Sequence, residues 1–267
     1  MAVTDPPFHA DELSAQVLAG GGANGKGIRH FMPDQHRDFF AQLSYIFVGT
    51  VDQDGWPVAT MLTGEVGFVH SPDPVTLEID AVLSRHDPAA VGFARGKPIG
   101  LLGIDFSSRR RNRANGWIAD IVADSLTVVV RQSFGNCPQY IQRRRMSCVA
   151  VSPGPAEEFA ALDDHARLLI GSADTFFVAS RARSEIDLAG GCDISHRGGR
   201  PGFVGVDDDI LLIPDFRGNR FFNTLGNLLG EPRASLLFID FERGDLVQLQ
   251  GVVEIDWEGK NARRVTG

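Results

Sequence analysis

The sequence predicts a mainly β protein with a few short helices, built from two tandem copies of one unit. Three observations lead there. Short runs rich in Val, Ile, Phe and Thr recur between turn residues, the pattern of antiparallel strands. Each half opens on one short amphipathic helix. Segments of the second half also answer segments of the first at a fixed spacing. GLLGIDF (100–106) and SLLFIDF (235–241), Gly116 and Gly251, and LEID (77–80) and LIPD (212–215) are all 135 residues apart.

The elements follow in order. Residues 1–30 read as a loosely held N-terminal arm, because GGGANGKG (20–27) is too rich in glycine for regular structure. Unit 1 spans 31–145. It opens on a helix over PDQHRDFFAQLS (33–44). Pro33 suits its first turn, and Phe39, Phe40 and Leu43 share a face. The strand-like runs are YIFVGTVD, VATMLTGEVGFV, TLEIDAVL, IGLLGIDF, NGWIADIVA and SLTVVVRQSF. The Pro- and Gly-bearing stretch 146–160 reads as a linker. Unit 2 spans 161–267 and opens on a helix over DDHARLLIGSA (163–173). There FFVASRA (176–182) answers FVGTVD (47–52), and GRPGFV (199–204) answers GWPVAT (55–60).

Composition bounds the function. The 267 residues are 43% hydrophobic and 22% charged, enough to bury a sizeable core. With 34 acidic residues against 26 Lys and Arg, the net charge of −8 argues against a nucleic-acid binder. No apolar run is long enough to span a membrane, and no charged-then-apolar leader opens the chain. Cys137, Cys148 and Cys192 have no CxxC spacing, so neither a disulfide framework nor structural zinc is expected. A cytoplasmic protein is the expectation.

The two copies differ where chemistry could sit. In CDISHRGGRPGFV (192–204), Ser195, His196 and Arg197 offer polar groups, and Gly198 and Gly199 let a backbone approach a ligand. GRPGFV reads as a bare extended strand, with Pro201 and Gly202 exposing backbone on which a flat aromatic ligand could lie. The same residues suit a polar hairpin turn. In PDFRGNRFFNTLGNLLGEP (214–232), Asp215 ends a strand and Gly218–Arg220 form a turn into a helix from Phe221 to Leu229. With Asn219, Asn223 and Thr224 this makes a phosphate cradle, or an ordinary capped helix over a barrel end. In unit 1, Arg109, Arg111 and Arg113 would share one face of a strand. They form either an anion or substrate wall or a charged edge that blunts aggregation. No catalytic triad, HExxH, GxGxxG or Walker motif is present.

At FFAQLSYIFVGTVDQDGWP, GLLGIDFSSRRRNRANGW, QSFGNCPQYIQRR, SHRGGRPGFV and PDFRGNRFFNTLGNL, the chain resembles the flavin-nucleotide-binding proteins related to pyridoxamine 5′-phosphate oxidase, in their tandem form. The resemblance runs from about residue 8 onward. It implies two six-stranded antiparallel Greek-key split barrels packed as a pseudo-dimer, with FMN at their interface. Ser195, His196, Arg197, Gly198, Pro201, Gly202 and Phe203 would flank the ring and ribityl chain. Asp215, Asn219, Arg220, Asn223 and Thr224 would lie near the phosphate. Gln132 and Ser133 would lead into unit 1's contribution, Asn136, Cys137, Pro138, Gln139 and Tyr140.

The resemblance further implies an FMN-dependent oxidoreductase or electron-transfer protein. Its partners would be a small redox substrate or a reductase, with Tyr140 or the Arg109, Arg111 and Arg113 face meeting the substrate. A non-catalytic flavin module is the alternative, as is haem handling through His196 or His86. The family's substrate His/Arg pair is not found, so vitamin B6 oxidation is not implied. A complete second unit would need another strand or two after VVEID (252–256), either lost by trimming or supplied by another chain. The pseudo-dimer could pair again as a homodimer.

Overall fold

The computed structural model describes residues 6–81, 84, 86–147, 154, 156–184 and 189–260. It is mainly β, with antiparallel pairing throughout and short helices. Helices α1 (Ala10–Leu18) and α2 (Asp34–Ala41) precede β1 (Tyr45–Val51), β2 (Pro57–Thr63), β3 (Val69–Asp73), β4 (Thr76–Asp80), β5 (Pro98–Asp105), β6 (Arg110–Val122) and β7 (Ser125–Gly135). These strands form one seven-stranded sheet in the order β2-β1-β5-β6-β7-β4-β3. Then come α3 (Asp164–Ser172), β8 (Thr175–Arg181), β9 (Cys192–Gly198), β10 (Gly205–Asp207), β11 (Ile210–Leu212), α4 (Asn223–Gly230), β12 (Arg233–Ile239) and β13 (Leu246–Val252). They give a four-stranded sheet, β13-β12-β8-β9, and a separate β10-β11 ribbon.

Local chemistry explains these elements. Asp163 caps α3 by accepting from the Ala166 amide at 2.7 Å. Pro33, with φ −59°, leads into α2, whose Phe39 and Phe40 are buried. Strand β1 is buried along its whole length because its alternating side chains feed two cores. Ile46 and Val48 enter the first unit's core beside Leu77, Leu101 and Val128. Tyr45 and Phe47 enter a second core shared with Phe177, Ile194 and Leu237.

Equivalent pairings recur in the strand registers. Phe47 faces Leu102 across β1 and β5, and Phe177 faces Leu237 across β8 and β12. Ile99 faces Gly116, and Ala234 faces Gly251. One pairing differs from expectation. The counterpart of β2 beside β8 is β9, which places SHRG on a strand. GRPGFV is the turn that follows, closed by the Phe203 amide on the Arg200 carbonyl, with Gly202 at φ +82°. Pro201 cannot extend the ladder, and a left-handed Gly202 turns the chain away.

The shared core joins the halves by like-with-like contact. Phe47 and Phe177, counterparts in the repeat, stack with ring centroids 3.5 Å apart at 15°. An interface that pairs equivalent residues in this way is isologous. Gly100 on β5 lies against β9: a Cβ there would stand 2.8 Å from the Asp193 Cα and 2.9 Å from the Cys192 carbonyl oxygen. Both are main-chain atoms that cannot swing aside. Gly100→Val is therefore expected to destabilise the protein by about 1–3 kcal/mol, read as a lower midpoint in urea unfolding. An unchanged midpoint would mean that the halves tolerate separation.

Two further expectations are corrected. The N-terminal arm is anchored from residue 7 onward. Phe8, His9, Glu12 and Ala15 are buried, the Pro7 carbonyl accepts from Gln132 at 3.0 Å, and Arg29 bridges to Ser133. Burial of one face of α1 against α4 outweighs the local flexibility of the glycines. The run VATMLTGEVGFV breaks into β2 and β3 at a turn around Gly64–Phe68, where Gly67 has φ +96°. Cys148 and part of the expected linker lie outside the described residues. Among the described residues, no helix is long and apolar enough to cross a membrane.

Candidate functional site

Strand β6 projects Arg111 and Arg113 from one face toward the neighbouring β9, as their spacing requires. Arg109 does not join them. It sits in the preceding turn with φ +59° and is exposed. Arg110 points to the other face, over the Phe39 ring at 4.5 Å. Strand β9 brings Asp193, Ser195 and His196 to the junction, all buried.

Arg113 is the anchored arginine. Its guanidinium reaches both oxygens of Asp193 at 2.9 and 2.8 Å and donates to Ser195. Asn115 donates to the same carboxylate at 2.9 Å. Ser195 also meets Thr224 at 2.7 Å. Among the described residues, no carboxylate pairs with Arg111. Its Nη1 lies 2.9 Å from His196 Nδ1, and its Nε is buried with no hydrogen-bond partner. Burial, then the cations of Arg113 and Arg197, lower its pKa to about 10. A guanidinium can only donate, so His196 Nδ1 accepts and the neutral ring carries its hydrogen on Nε2. That Nε2 is buried and unpartnered. Burial first, and Arg111 next, hold His196 well below its ordinary pKa, which keeps it neutral.

These groups open onto a cavity of ≈ 360 Å³ between β6, β9, the chain after β7 and the loop before α4. Five arginines (Arg111, Arg113, Arg197, Arg217 and Arg220) line it, against two aspartates, Asp215 and Asp256. In a chain of net charge −8 this is a local reversal of sign. The volume falls in the range of small-ligand sites.

Of the residues singled out in the sequence, Ser195, His196, Arg197, Gly198, Phe203, Asp215, Asn219, Arg220, Asn223, Thr224, Asn136, Gln139 and Tyr140 all line this cavity. Gln132, Ser133, Cys137, Pro138, Pro201 and Gly202 do not; the last two are exposed in the turn after β9. Several roles change. A Cβ on Gly198 would meet the Tyr140 carbonyl at 2.2 Å, so the close approach there is by the chain after β7. Asp215 lies beyond the end of β11 and pairs with Arg197 at 2.6 Å. Its counterpart Asp80 stays in a strand because β7 pairs with it. Arg220 binds the carbonyls of Ala19 and Gly21, tying the arm to the α4 loop. Asn219 donates to Asn136 at 3.3 Å, joining the two units over the cavity. Tyr140 stacks on Phe216 at 5.2 Å, and its hydroxyl donates to the Arg217 carbonyl at 3.0 Å.

Sequence reading missed Glu12 and Asp193. Glu12 enters from α1 and accepts from Asn223 Nδ2 and the His9 amide. Its only signal is the helix-capable run HADELSAQVL, with an acid three residues after the cap. Burial drives the Glu12 pKa up to about 8. A raised native pKa means the folded state holds a proton that the unfolded chain releases above about 4.5. The associated stability is complete below that value and is lost as pH rises to 8. Glu12→Gln is therefore expected to flatten the fall in melting temperature between pH 5 and pH 8. A parallel pH profile in the variant would assign that fall to other groups.

The repeat has a second, related position, and it is not equipped alike. Val58, Thr60 and Met61 of β2 stand where β9 has Asp193, Ser195 and His196. Leu246 and Gln248 of β13 stand where β6 has Arg111 and Arg113. The charge is confined to one of two related places. No protein-family model matches the chain, and no curated protein matches it.

Proposed function

We propose that the chain binds FMN in the junction cavity and works as an oxidoreductase or electron-transfer flavoprotein of the pyridoxamine 5′-phosphate oxidase-related kind. On this reading residues 31–145 and 161–267 are two split-barrel units, paired as a pseudo-dimer after an N-terminal arm. The isologous contact through Phe47 and Phe177 supports that pairing.

One observation carries the ligand reading. The cavity wall gathers five arginines against two aspartates, and buried donors on Arg111 and His196 lack partners. Uncompensated buried donors are costly unless something accepts from them. A phosphate-bearing aromatic ligand supplies oxygens for the guanidiniums and ring acceptors for His196 Nε2–H. Arg111, Arg197 and Asn219 would hold the phosphate end. His196, Phe203 and Tyr140 would border the ring. Bound FMN supplies hydride or single-electron transfer; the chain orients it and places fixed positive charge beside it. A neutral His196, held so by its arginines, donates a hydrogen bond without adding a further charge.

The absorption spectrum of the purified protein, with chromatography of what heat releases, tests this directly. The visible absorption bands of a bound flavin and released FMN are the expected result. A colourless protein that also fails to take up added FMN overturns the reading. Turnover with a reductant separates an enzyme from a flavin module that docks to a reductase.

A further inference from the structure

Exposed arginines and aromatic rings gather where the junction cavity meets the surface. The chain after β7 runs along this rim, held by three other segments. The Tyr140 hydroxyl donates to the Arg217 carbonyl at 3.0 Å. The Gln142 side chain donates to the Gly199 carbonyl at 2.6 Å, and the Arg143 Nε donates to the Ser107 carbonyl at 3.1 Å. Each contact brings an arginine to the rim: Arg217 in the loop before α4, Arg200 beside Gly199, Arg143 on the chain itself and Arg109 in the turn that Ser107 opens. All four are exposed.

Among the described residues, none of these four pairs with a carboxylate. The acids beside them are already engaged. Asp105 accepts from Ser107 and Ser108, Asp174 from Arg144, and Asp215 from Arg197. Tyr140 and Phe216 stand among the arginines, each 39% exposed, with their rings stacked 5.2 Å apart. Tyr140 is held at φ +65°, a left-handed conformation uncommon for an aromatic residue, and such outliers cluster at functional sites. Arginine and aromatic residues are the types enriched where proteins dock, with the rings as anchors and the charges around them.

We propose that this rim is the docking face for the acidic surface of a small redox protein, which delivers electrons to the ligand in the cavity. Electron delivery rests on the FMN reading; docking does not. Arg109, Arg143 and Arg200 lie outside the cavity lining, so a small ligand inside leaves them unused. A nucleic acid fits less well, because a long polyanion would run onto the rest of a chain of net charge −8. A protein needs carboxylates only over the area of contact. Each docked donor loses one electron, and two donors with two protons from water complete the reduction of one FMN.

A plant-type [2Fe–2S] ferredoxin, a small acidic one-electron carrier, serves as the probe. Reduced ferredoxin is mixed with the FMN-bound protein in a stopped-flow instrument, and bleaching of the flavin band is followed. The second-order rate is expected to fall as salt rises. In the double variant Arg143→Glu with Arg200→Glu it should fall by about tenfold or more at low salt, with FMN content and melting temperature unchanged. A rate that ignores both salt and the double variant overturns the proposal. A protein that holds no FMN would defeat the flavin reading alone. Calorimetric titration with oxidised ferredoxin at low salt then decides the docking: weaker binding to the double variant supports it, and absent or equal binding overturns it. Tighter binding of a single-stranded oligonucleotide than of ferredoxin, lost in the same variant, also overturns it, because the rim would then serve a nucleic acid.

Discussion

Asp193→Ala should cost about 3–5 kcal/mol of stability, the range found when one partner of a buried ion pair is removed. Asp193 accepts from Arg113 at 2.8 and 2.9 Å, from Asn115 at 2.9 Å and from Ser195 at 3.2 Å. Its exposure is 4% and that of Arg113 is 8%, so water cannot replace the lost carboxylate. The variant leaves a buried guanidinium with no counter-charge and strands the Asn115 amide. For a chain of this size a drop of roughly 10 °C in melting temperature follows. The double replacement Asp193→Leu with Arg113→Met removes both charges and keeps the volume. It should recover most of the loss, because matched apolar groups avoid desolvation altogether. Near-wild-type melting of Asp193→Ala alone would show that the pair is dispensable. No recovery in the double variant would locate the cost in the Asn115 and Ser195 bonds.

The legible parts of this protein are those set by local pattern. Strand runs such as YIFVGTV and SLTVVVRQSF declare themselves by β-branched residues between turns, and α2 and α3 by a cap and a spaced apolar face. The repeat was legible because the Gly116 and Gly251 positions keep both their sequence spacing and their strand partners. Of the nineteen positions that the resemblance names, thirteen line one cavity; Gln132, Ser133, Cys137, Pro138, Pro201 and Gly202 do not. Their bonds were not legible. Gly198 faces the Tyr140 carbonyl, Arg220 faces the arm and Asn223 faces Glu12, because each choice depends on which distant segment arrives beside it. Register was the other failure. GRPGFV resembles a strand locally, but the pairing of β8 with β9 ends at Gly198. The arm looks loose in sequence because glycine content is visible there, whereas docking of α1 on α4 is a long-range event. Glu12 was lost with it.

Arg111→Met should separate binding from stability, with opposite signs. Arg111 sits two residues from Arg113 on the same strand face but has no carboxylate partner among the described residues. Its charge is buried, repelled by Arg113 and Arg197, and its Nε lacks an acceptor. Such a group lowers the stability of the ligand-free protein, and on the FMN reading the ligand's oxygens would offset that cost. Methionine keeps the stem and removes the charge. The ligand-free variant is expected to melt higher, by about 0.5–2 kcal/mol of added stability. Its affinity for FMN should fall by about 10- to 100-fold, the loss of one or two charge-assisted hydrogen bonds. A third readout follows from the His196 environment. Arg111 is the leading cation that depresses this imidazole, after burial. Removing it should raise the His196 pKa, visible as an upward shift of its titration by NMR. Calorimetry with and without FMN reads the first two effects together: a higher melting temperature alone and a smaller ligand-induced rise. A variant as unstable as Asp193→Ala would make Arg111 a structural residue. A more stable variant that binds FMN as tightly as before would move the phosphate away from β6, toward Arg197 and the α4 loop.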